Sequence, residues 1–317
     1  MTKTATPFLR ALASTLVGGL GVAVLAAAAP AALAATTQGF QISPPVSEIN
    51  INPGSSIRQT MTVTNLTGSQ MTINVGKSNF AAQGEEGEVE LTNNADPLYS
   101  LAPWFVVSPA TVVVPPTASE QVTYTITVPK NAEPGGRYGS VTFNTIPPKL
   151  PNGQSGAAVQ QQLASLILLR INGAAHEQLK IASFASNKTF YEYGPISFLV
   201  RVSNVGNVHE RPVGQIVIKN MLGLKTATIN VEQQYVLPGA IRRLTAEFNR
   251  HFMFGRYTAT LTLKNGTIQT LTATTAFTVI PYKLVIIILI IIILIVLFFT
   301  KTRKRFARAF RILAGRE

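Results

Sequence analysis

A run of sixteen apolar residues near the C-terminus, Leu284 to Phe299, restricts the possible folds of this chain more than any other feature. With Ile280 to Lys283 before it and Thr300 after it, the segment would form a helix of roughly 30 Å, the thickness of a bilayer core. A helix packed against the core of a soluble protein keeps a polar face, and this run has none. The sequence therefore predicts a single transmembrane helix over residues 280–300.

The residues after this run, 301–317, form a basic tail that sets the predicted orientation. Basic residues beside a span mark its cytoplasmic side. We therefore predict a single-pass protein of the cell membrane, with the domains before residue 280 extracellular and the tail cytoplasmic. A tail helix lying on the inner leaflet and a plain stop-transfer tail are both open alternatives. The tail contains one acid, Glu317, and the basic residues Lys301, Arg303, Lys304, Arg305, Arg308, Arg311 and Arg316.

The first 34 residues have the pattern of a signal peptide. Lys3 and Arg10 provide a basic start, Ala11 to Ala29 is apolar, and Ala32-Leu33-Ala34 is a cleavage signal. An uncleaved anchor is the alternative. The net charge of +13 is concentrated in the terminal segments, so no nucleic-acid partner is predicted. The absence of cysteine excludes disulfides, thiolate metal sites and a cysteine nucleophile.

Between these terminal segments the hydrophobic pattern has a period of two. Such runs, rich in Thr, Val, Ile and aromatic residues and bounded by Pro, Gly and Asn, indicate antiparallel sheets with one buried face. Period-two runs at short spacing are typical of β-sandwiches. The clearest runs are Arg58–Asn65, Gln121–Val128, Ser197–Ser203 and Thr258–Leu263.

A weak internal repeat divides this region into two halves. Each half has a strand ending in Asn, at Asn65 and Asn204, and a later strand opened by Gly-Arg-Tyr, at residues 136–138 and 255–257. We predict an all-β protein with two tandem immunoglobulin-like β-sandwich domains, residues 35–171 and 172–279, followed by a single transmembrane helix. The Pro/Gly-rich segment 146–156 is interpreted as a long hairpin or crossover loop, and the apolar run Ala164–Ile171 as the last strand of the first domain.

No catalytic or metal-binding pattern is found. The three histidines, His176, His209 and His251, have no ligand partner at helical or strand spacing, and no G-x-S-x-G motif occurs. We therefore predict no enzyme activity, no metal and no cofactor. His209, in a turn-rich loop, is interpreted as a surface residue. An envelope hydrolase is an alternative, which requires a cleft with a histidine and a carboxylate within hydrogen-bond reach.

Candidate ligand- or partner-binding residues are Tyr99, Trp104 and Phe105, which lie in an aromatic segment punctuated by proline. Exposed aromatic residues can stack on sugars or anchor a protein partner. The alternative is that Trp104, the sole tryptophan, fills the sandwich core. An acidic cluster, residues 85–90, is interpreted as a solvated hairpin loop and strand start.

The first half resembles the WxL-interacting proteins of Gram-positive surfaces, whose first outer domain is regarded as peptidoglycan-binding. The resemblance rests on Ile42-Ser43-Pro44, on Pro53-Gly54 before a TMTVTN strand, and on residues 112–143. Within the last stretch it rests on Pro129, Pro134, Gly135-Gly136, Gly139 and Phe143. The resemblance implies a non-enzymatic envelope protein whose first domain binds peptidoglycan or a secreted partner, and whose second domain engages other surface proteins.

Three functional hypotheses follow. The first is a membrane-anchored binding or adhesion protein, whose partners would be peptidoglycan or secreted surface proteins. The alternative is an assembly chaperone that donates a strand to secreted β-proteins. A long unpaired edge strand on the first domain would favour the chaperone, and edges blocked by proline or bulges would argue against it. The third is an envelope hydrolase.

Overall fold

The computed structural model describes residues 39–93, 96–146, 160–265 and 269–313, with side chains described as far as Thr302. The predicted signal peptide, residues 1–34, lies outside the described residues. Residues 147–159 also lie outside the described residues, and they include all but the first residue of the predicted Pro/Gly-rich loop 146–156. The predicted domain bounds, 35–171 and 172–279, stay predictions.

The first sandwich consists of two sheets. One has the strand order β1-β3-β8-β6, and the other has the order β2-β10-β9-β4, with β5 and β7 both paired to β4. A short 3-10 turn, Ala102–Trp104, precedes β6. The strands are β1 (Phe40–Ser43), β2 (Val46–Ile51), β3 (Ser56–Asn65), β4 (Met71–Gln83), β5 (Glu88–Thr92), β6 (Phe105–Ser108), β7 (Thr111–Val114), β8 (Ser119–Thr127), β9 (Gly135–Ile146) and β10 (Gln162–Ile171).

The second sandwich has the same plan. One sheet has the order β11-β13-β16, and the other has the order β12-β18-β17-β14-β15. The strands are β11 (Leu179–Ser186), β12 (Phe190–Tyr191), β13 (Ile196–Asn204), β14 (Val213–Asn220), β15 (Lys225–Asn230), β16 (Ile241–Phe248), β17 (Gly255–Asn265) and β18 (Gln269–Val279).

The strand pairing confirms the fold class of two tandem immunoglobulin-like sandwiches and the internal repeat. In each half an early strand pairs in parallel with the last strand, β2 with β10 and β12 with β18, and the other pairings are antiparallel. The Gly-Arg-Tyr triplets open β9 and β17, which occupy the same place in the two sheets. The run Ala164–Ile171 is part of β10, as predicted.

Period-two patterning produces the strands because alternate side chains fill the space between the sheets. In β13 the residues Ile196, Phe198, Val200 and Val202 are fully buried, and those between them are partly exposed. β-Branched and aromatic side chains fit this half-buried pleated surface.

A buried asparagine holds the same corner in each sandwich. Asn65 and Asn204 end β3 and β13 and have no solvent exposure. Each Nδ2 group donates to the carbonyl four residues later. It also donates to the carbonyl of a residue remote in sequence, Val114 at 3.1 Å or Val236 at 2.8 Å. The Asn that marks the repeat is thus a structural requirement, since it satisfies buried backbone groups.

A single helix, α1 (Tyr282–Leu313), follows β18 after the two residues Ile280 and Pro281. Within the described part of the chain, α1 is the one helix long and apolar enough to cross a membrane. Its side chains from Leu284 to Phe299 are all exposed to the surroundings. α1 continues through the basic positions Lys301, Arg303, Lys304, Arg305, Arg308 and Arg311. From Arg303 onward the side chains are outside the described set.

Candidate functional site

Strand β10 is apolar on both of its faces, which explains its continuous apolar sequence. Ile167, Leu169 and Ile171 point into the core between the sheets. Leu166 and Leu168 alternate with them and belong to a smaller apolar cluster on the outer face of the same sheet. A strand with two apolar faces normally lies in a sheet that is covered on both sides. The outer face of this sheet is therefore a candidate binding surface.

Part of the edge of β10 is not covered by another strand in the described structure. β10 pairs with β9 from Gln162 to Ile171, but with β2 only from Leu166 onward. The Leu166 N–H donates to the Pro45 carbonyl on the β2 side at 2.9 Å. Backbone groups alternate in direction along a strand, so those of Gln162 and Ala164 point to that same side. We call residues 162–165 the open edge.

An apolar groove lies beside the open edge. It consists of a cleft of about 340 Å³ that reaches the second sandwich, and an adjoining cleft of about 650 Å³ on the outer face of the sheet. Val46, Val89 and Leu166 line both clefts and make them continuous. Leu91, Leu163 and Ala164 line the part next to the open edge. Phe80, Leu168, Tyr235, Leu237 and Ile241 line the part near the second sandwich.

A cluster of polar side chains joins the two sandwiches at one end of the groove, with His209 buried and Glu48 exposed. His209 Nε2 lies 3.4 Å from Glu48 Oε1, and the Tyr235 hydroxyl donates to Glu48 Oε2 at 2.7 Å. The Tyr138 hydroxyl lies 3.4 Å from His209 Nδ1. An ionised Glu48 can only accept, so Nε2 carries the proton of a neutral His209 and Nδ1 accepts from Tyr138.

The prediction that His209 is a surface residue is wrong, because it is 3 % exposed. The hydrolase hypothesis required a histidine and a carboxylate within reach, and His209 and Glu48 form such a pair. However, the other hydrogen-bonding neighbour of the ring is the Tyr138 hydroxyl, whose pKa is raised mainly by burial. Among the described residues, no serine or threonine hydroxyl is hydrogen-bonded to His209. The cluster connects the sandwiches, because Glu48 and Tyr138 belong to the first and His209 and Tyr235 to the second.

The cluster gives a prediction for the pH dependence of stability. Burial lowers the pKa of His209 below its ordinary value, and Glu48 partly opposes this. The unfolded chain thus takes up the proton first, and the stabilisation by neutral His209 is complete above about pH 6.5. It is lost as the pH falls from there through the folded-state pKa. We expect urea unfolding to show this loss in the wild type and not in His209→Gln.

The informative quantity is the difference in unfolding free energy between the wild type and His209→Gln at each pH. Burial raises the pKa of Glu210, so protonation of Glu210 stabilises the folded state as the pH falls, opposite to His209, over part of the same range. Measurement at several pH values between about 7.5 and 5 separates the two contributions. An unchanged pH slope in His209→Gln would contradict the assignment of neutral His209 to this interface.

A second contact between the sandwiches comes from the hairpin between β4 and β5. Glu85 forms an ion pair with Arg201, with Nε to Oε2 at 2.8 Å, and Glu86 pairs with Arg243. The Arg243 N–H also donates to the Glu85 carbonyl at 2.8 Å. The hydrogen bond from Arg201 is the main cause of a lowered Glu85 pKa. The acidic cluster forms the predicted hairpin loop and strand start, and two of its carboxylates also pair with arginines of the second sandwich.

The predicted binding residues do not form one exposed surface. Phe105 is 1 % exposed and packs edge-on against Tyr124 in the core, and its binding role stays a prediction. The half-buried Trp104 ring lies 5.2 Å from the Arg137 guanidinium and also contacts the core. Tyr99 packs against Tyr138 on the outer face of the sheet. Binding by Tyr99 or Trp104 stays a prediction.

No protein-family model matches this chain. No curated protein matches it either. Solved structures of fimbrial chaperones do match. The class 5 fimbriae chaperone CfaA is 17 % identical, with a TM-score of 0.39, over 75 % of this chain and 99 % of the other. The SafB chaperone with the SafA pilin of Salmonella enterica is 11 % identical, with a TM-score of 0.38, over 75 % of this chain and 96 % of the other. The Pseudomonas aeruginosa chaperone CupB2 is 13 % identical, with a TM-score of 0.35, over 73 % of this chain and 97 % of the other.

These comparisons correct the family prediction. The resemblance to the WxL-interacting proteins is wrong, since no family model matches and the matching structures are described as fimbrial chaperones. The motifs behind that resemblance are Pro and Gly turns and alternating strands, which many sandwiches share. The architecture is that of two immunoglobulin-like sandwiches followed by one apolar helix.

Proposed function

We propose that this protein is a membrane-anchored assembly chaperone that binds an extended segment of a secreted protein by strand addition at β10. The observation that carries this proposal is the open edge, residues 162–165, lying directly beside the apolar groove. An added strand would exchange backbone hydrogen bonds with Gln162 and Ala164. Its alternate side chains would lie against Val46, Leu91 and Leu166. Strand addition provides affinity through the main chain and specificity through such pockets.

The start of β2 explains why the edge of β10 stays open. Pro44 and Pro45 immediately precede β2, and their carbonyls bond to Ser165 Oγ and the Leu166 N–H. Proline has no N–H to continue a ladder, so β2 does not extend along residues 162–165. The prolines thus fix where β2 begins, and they do not interrupt β10 itself. The four residues of β10 left available to an added strand support the chaperone over a simple adhesion domain.

The anchoring part of the proposal rests on α1. Its apolar section is exposed on all sides, as expected for contact with lipid. The basic positions that follow it support a cytoplasmic tail under the positive-inside rule, with the two sandwiches on the opposite side of the membrane. The client would then be a protein that has already crossed the membrane.

Binding of peptidoglycan, the first hypothesis from the sequence, gains no support from the geometry. Phe105 is buried, and the Trp104 ring is occupied by Arg137. The groove is lined largely by aliphatic side chains, which suit apolar peptide side chains better than sugars. The fimbrial chaperone SafB, whose complex contains a pilin, offers a parallel for this kind of client.

Selection of peptides and amide hydrogen exchange together test the proposal. A random peptide library displayed on phage would be selected on the full chain in lipid nanodiscs. We expect enriched peptides with apolar residues at alternate positions, because only one face of an added strand meets the groove. Binding should slow amide exchange of Gln162 and Ala164. Peptides without this period, or slowed exchange that does not include β10, would contradict strand addition.

A further inference from the structure

Two loops at one end of the second sandwich expose large apolar side chains. The loop between β14 and β15 carries Met221, Leu222 and Leu224, and the loop between β16 and β17 carries Phe252 and Phe254. Their exposed fractions lie between 58 % and 75 %. We call these five residues the apolar loop tips. Exposed apolar groups of this size on a secreted domain mark a surface that contacts something else.

The loop tips lie at the end of the sandwich where α1 begins. The Met221 methyl group packs onto Gly255, the first residue after the second loop, and lies 2.5 Å from the position that a Cβ atom would take there. The two loops are therefore in contact. Gly255 is the register partner of Val279, the last residue of β18. At the start of α1, Lys283 Nζ forms an ion pair with Glu192 at 3.0 Å.

The connection between β18 and α1 is too short to separate this end of the sandwich from the bilayer. Only Ile280 and Pro281 lie between them, so Val279 and Tyr282 are at most roughly 11 Å apart. The apolar run starts at Leu284. The headgroup region on each side of a bilayer is about 5–8 Å thick. If α1 spans the membrane, the loop tips are held at the level of the lipid headgroups.

The charges around the loop tips fit a lipid surface. The residues 219–225 and 249–256 include no acid, and their exposed basic side chains are Lys219, Lys225, Arg250 and Arg256. The nearby Glu192 is already paired with Lys283. Exposed Tyr282 is an aromatic residue of the kind enriched at membrane interfaces. Basic side chains near the surface attract anionic lipids.

We propose that the apolar loop tips insert into the outer leaflet beside α1, so that the second sandwich sits directly on the bilayer. The occupant of this surface is lipid, not a client protein or a second copy of the chain. Insertion would hold the sandwiches in one orientation and thereby present the groove at a defined height above the membrane. This inference rests on the anchoring part of the proposed function and is independent of strand addition.

Site-specific fluorescence in nanodiscs tests the inference. The chain has no cysteine, so a single Cys can carry an environment-sensitive dye. The labelled variants are Leu222→Cys and Phe252→Cys, with anionic lipids carrying a nitroxide quencher near the headgroup. The matched control is Val213→Cys, which is also exposed but lies at the other end of β14. Dyes at 222 and 252 should shift to the blue and lose most of their emission, and the dye at 213 should not.

A fourth label tests whether α1 spans the bilayer, independently of the insertion of the loop tips. Leu289→Cys places the dye within α1, where a quencher deep in the acyl chains should reach it. Quenching at 289 without quenching at 222 or 252 overturns the inference and leaves the anchor intact. No quenching at 289 overturns both. The dye at 222 could also shift to the blue without being quenched by the nitroxide lipid. If that shift disappears when the protein is diluted, the loop contacts another protein molecule, and lipid insertion is overturned.

Discussion

Replacing Ala164 by proline should weaken peptide binding and leave the first sandwich folded. The Ala164 N–H points to the open edge, so its removal costs no hydrogen bond to β9. An incoming strand would lose one bond, worth about 1 kcal/mol, and would also meet the proline ring. We expect the dissociation constant of a selected peptide to rise at least about tenfold. Fluorescence anisotropy with the full chain in nanodiscs measures it.

The neighbouring position provides the matched control. The Leu163 N–H points the other way, toward β9, so Leu163→Pro should break the existing sheet and lower stability. A second variant, Leu166→Glu, keeps the backbone and places a charge in the apolar groove, and it should also weaken binding. Unchanged peptide affinity in both Ala164→Pro and Leu166→Glu would refute the proposed site.

Replacing Asn204 by alanine should destabilise the second sandwich more than any exposed polar substitution. Asn204 Nδ2 donates to the carbonyls of Val208 and Val236, and Oδ1 accepts from the Gly206 N–H. Without the side chain the Val208 carbonyl and the Gly206 N–H lose these partners, at about 1–3 kcal/mol each, and the Val236 carbonyl keeps only its bond from the Glu210 N–H. The expected loss, roughly 3–5 kcal/mol, is a large share of a typical domain stability of about 5–15 kcal/mol.

The matched control for this prediction is Asn230→Ala. Asn230 also ends a strand of the second sandwich, but it is exposed. Its replacement should change stability by no more than about 0.5 kcal/mol. Denaturant unfolding followed by hydrogen exchange in residues 179–279 reports on this sandwich, because the only tryptophan, Trp104, lies in the first. Equal effects of the two substitutions would contradict the structural role of the Asn204 corner.

Local patterns account for most of what was predicted correctly. Alternation with period two identifies strands such as β3, β8, β13 and β17, because a half-buried strand needs apolar side chains on one face only. The long apolar run identifies α1. The repeated Asn and the Gly-Arg-Tyr triplets identify two copies of one strand order, and Asn65 and Asn204 indeed make the same backbone contacts.

Prediction failed where the deciding contact was remote in sequence. Glu48 and His209 are 161 residues apart, and Glu85 and Arg201 are 116 apart. No local pattern shows that a histidine in a turn-rich loop is buried under another domain, or that an acidic hairpin meets arginines there. The same holds for Phe105 and Trp104, which are neighbours in the chain and yet lie one in the core and one beneath Arg137.

The sequence by itself determined two β-sandwiches and one apolar helix, because strand and helix periodicity are properties of neighbouring residues. It also contained the apolar outer face of β10, as the even positions of a continuous apolar run. Only the tertiary structure decided that this face borders an open edge, that the second sandwich closes one end of the groove, and that two apolar loops meet beside α1. Those features depend on which strands pair and where β2 begins, and pairing brings together segments more than 100 residues apart in the chain.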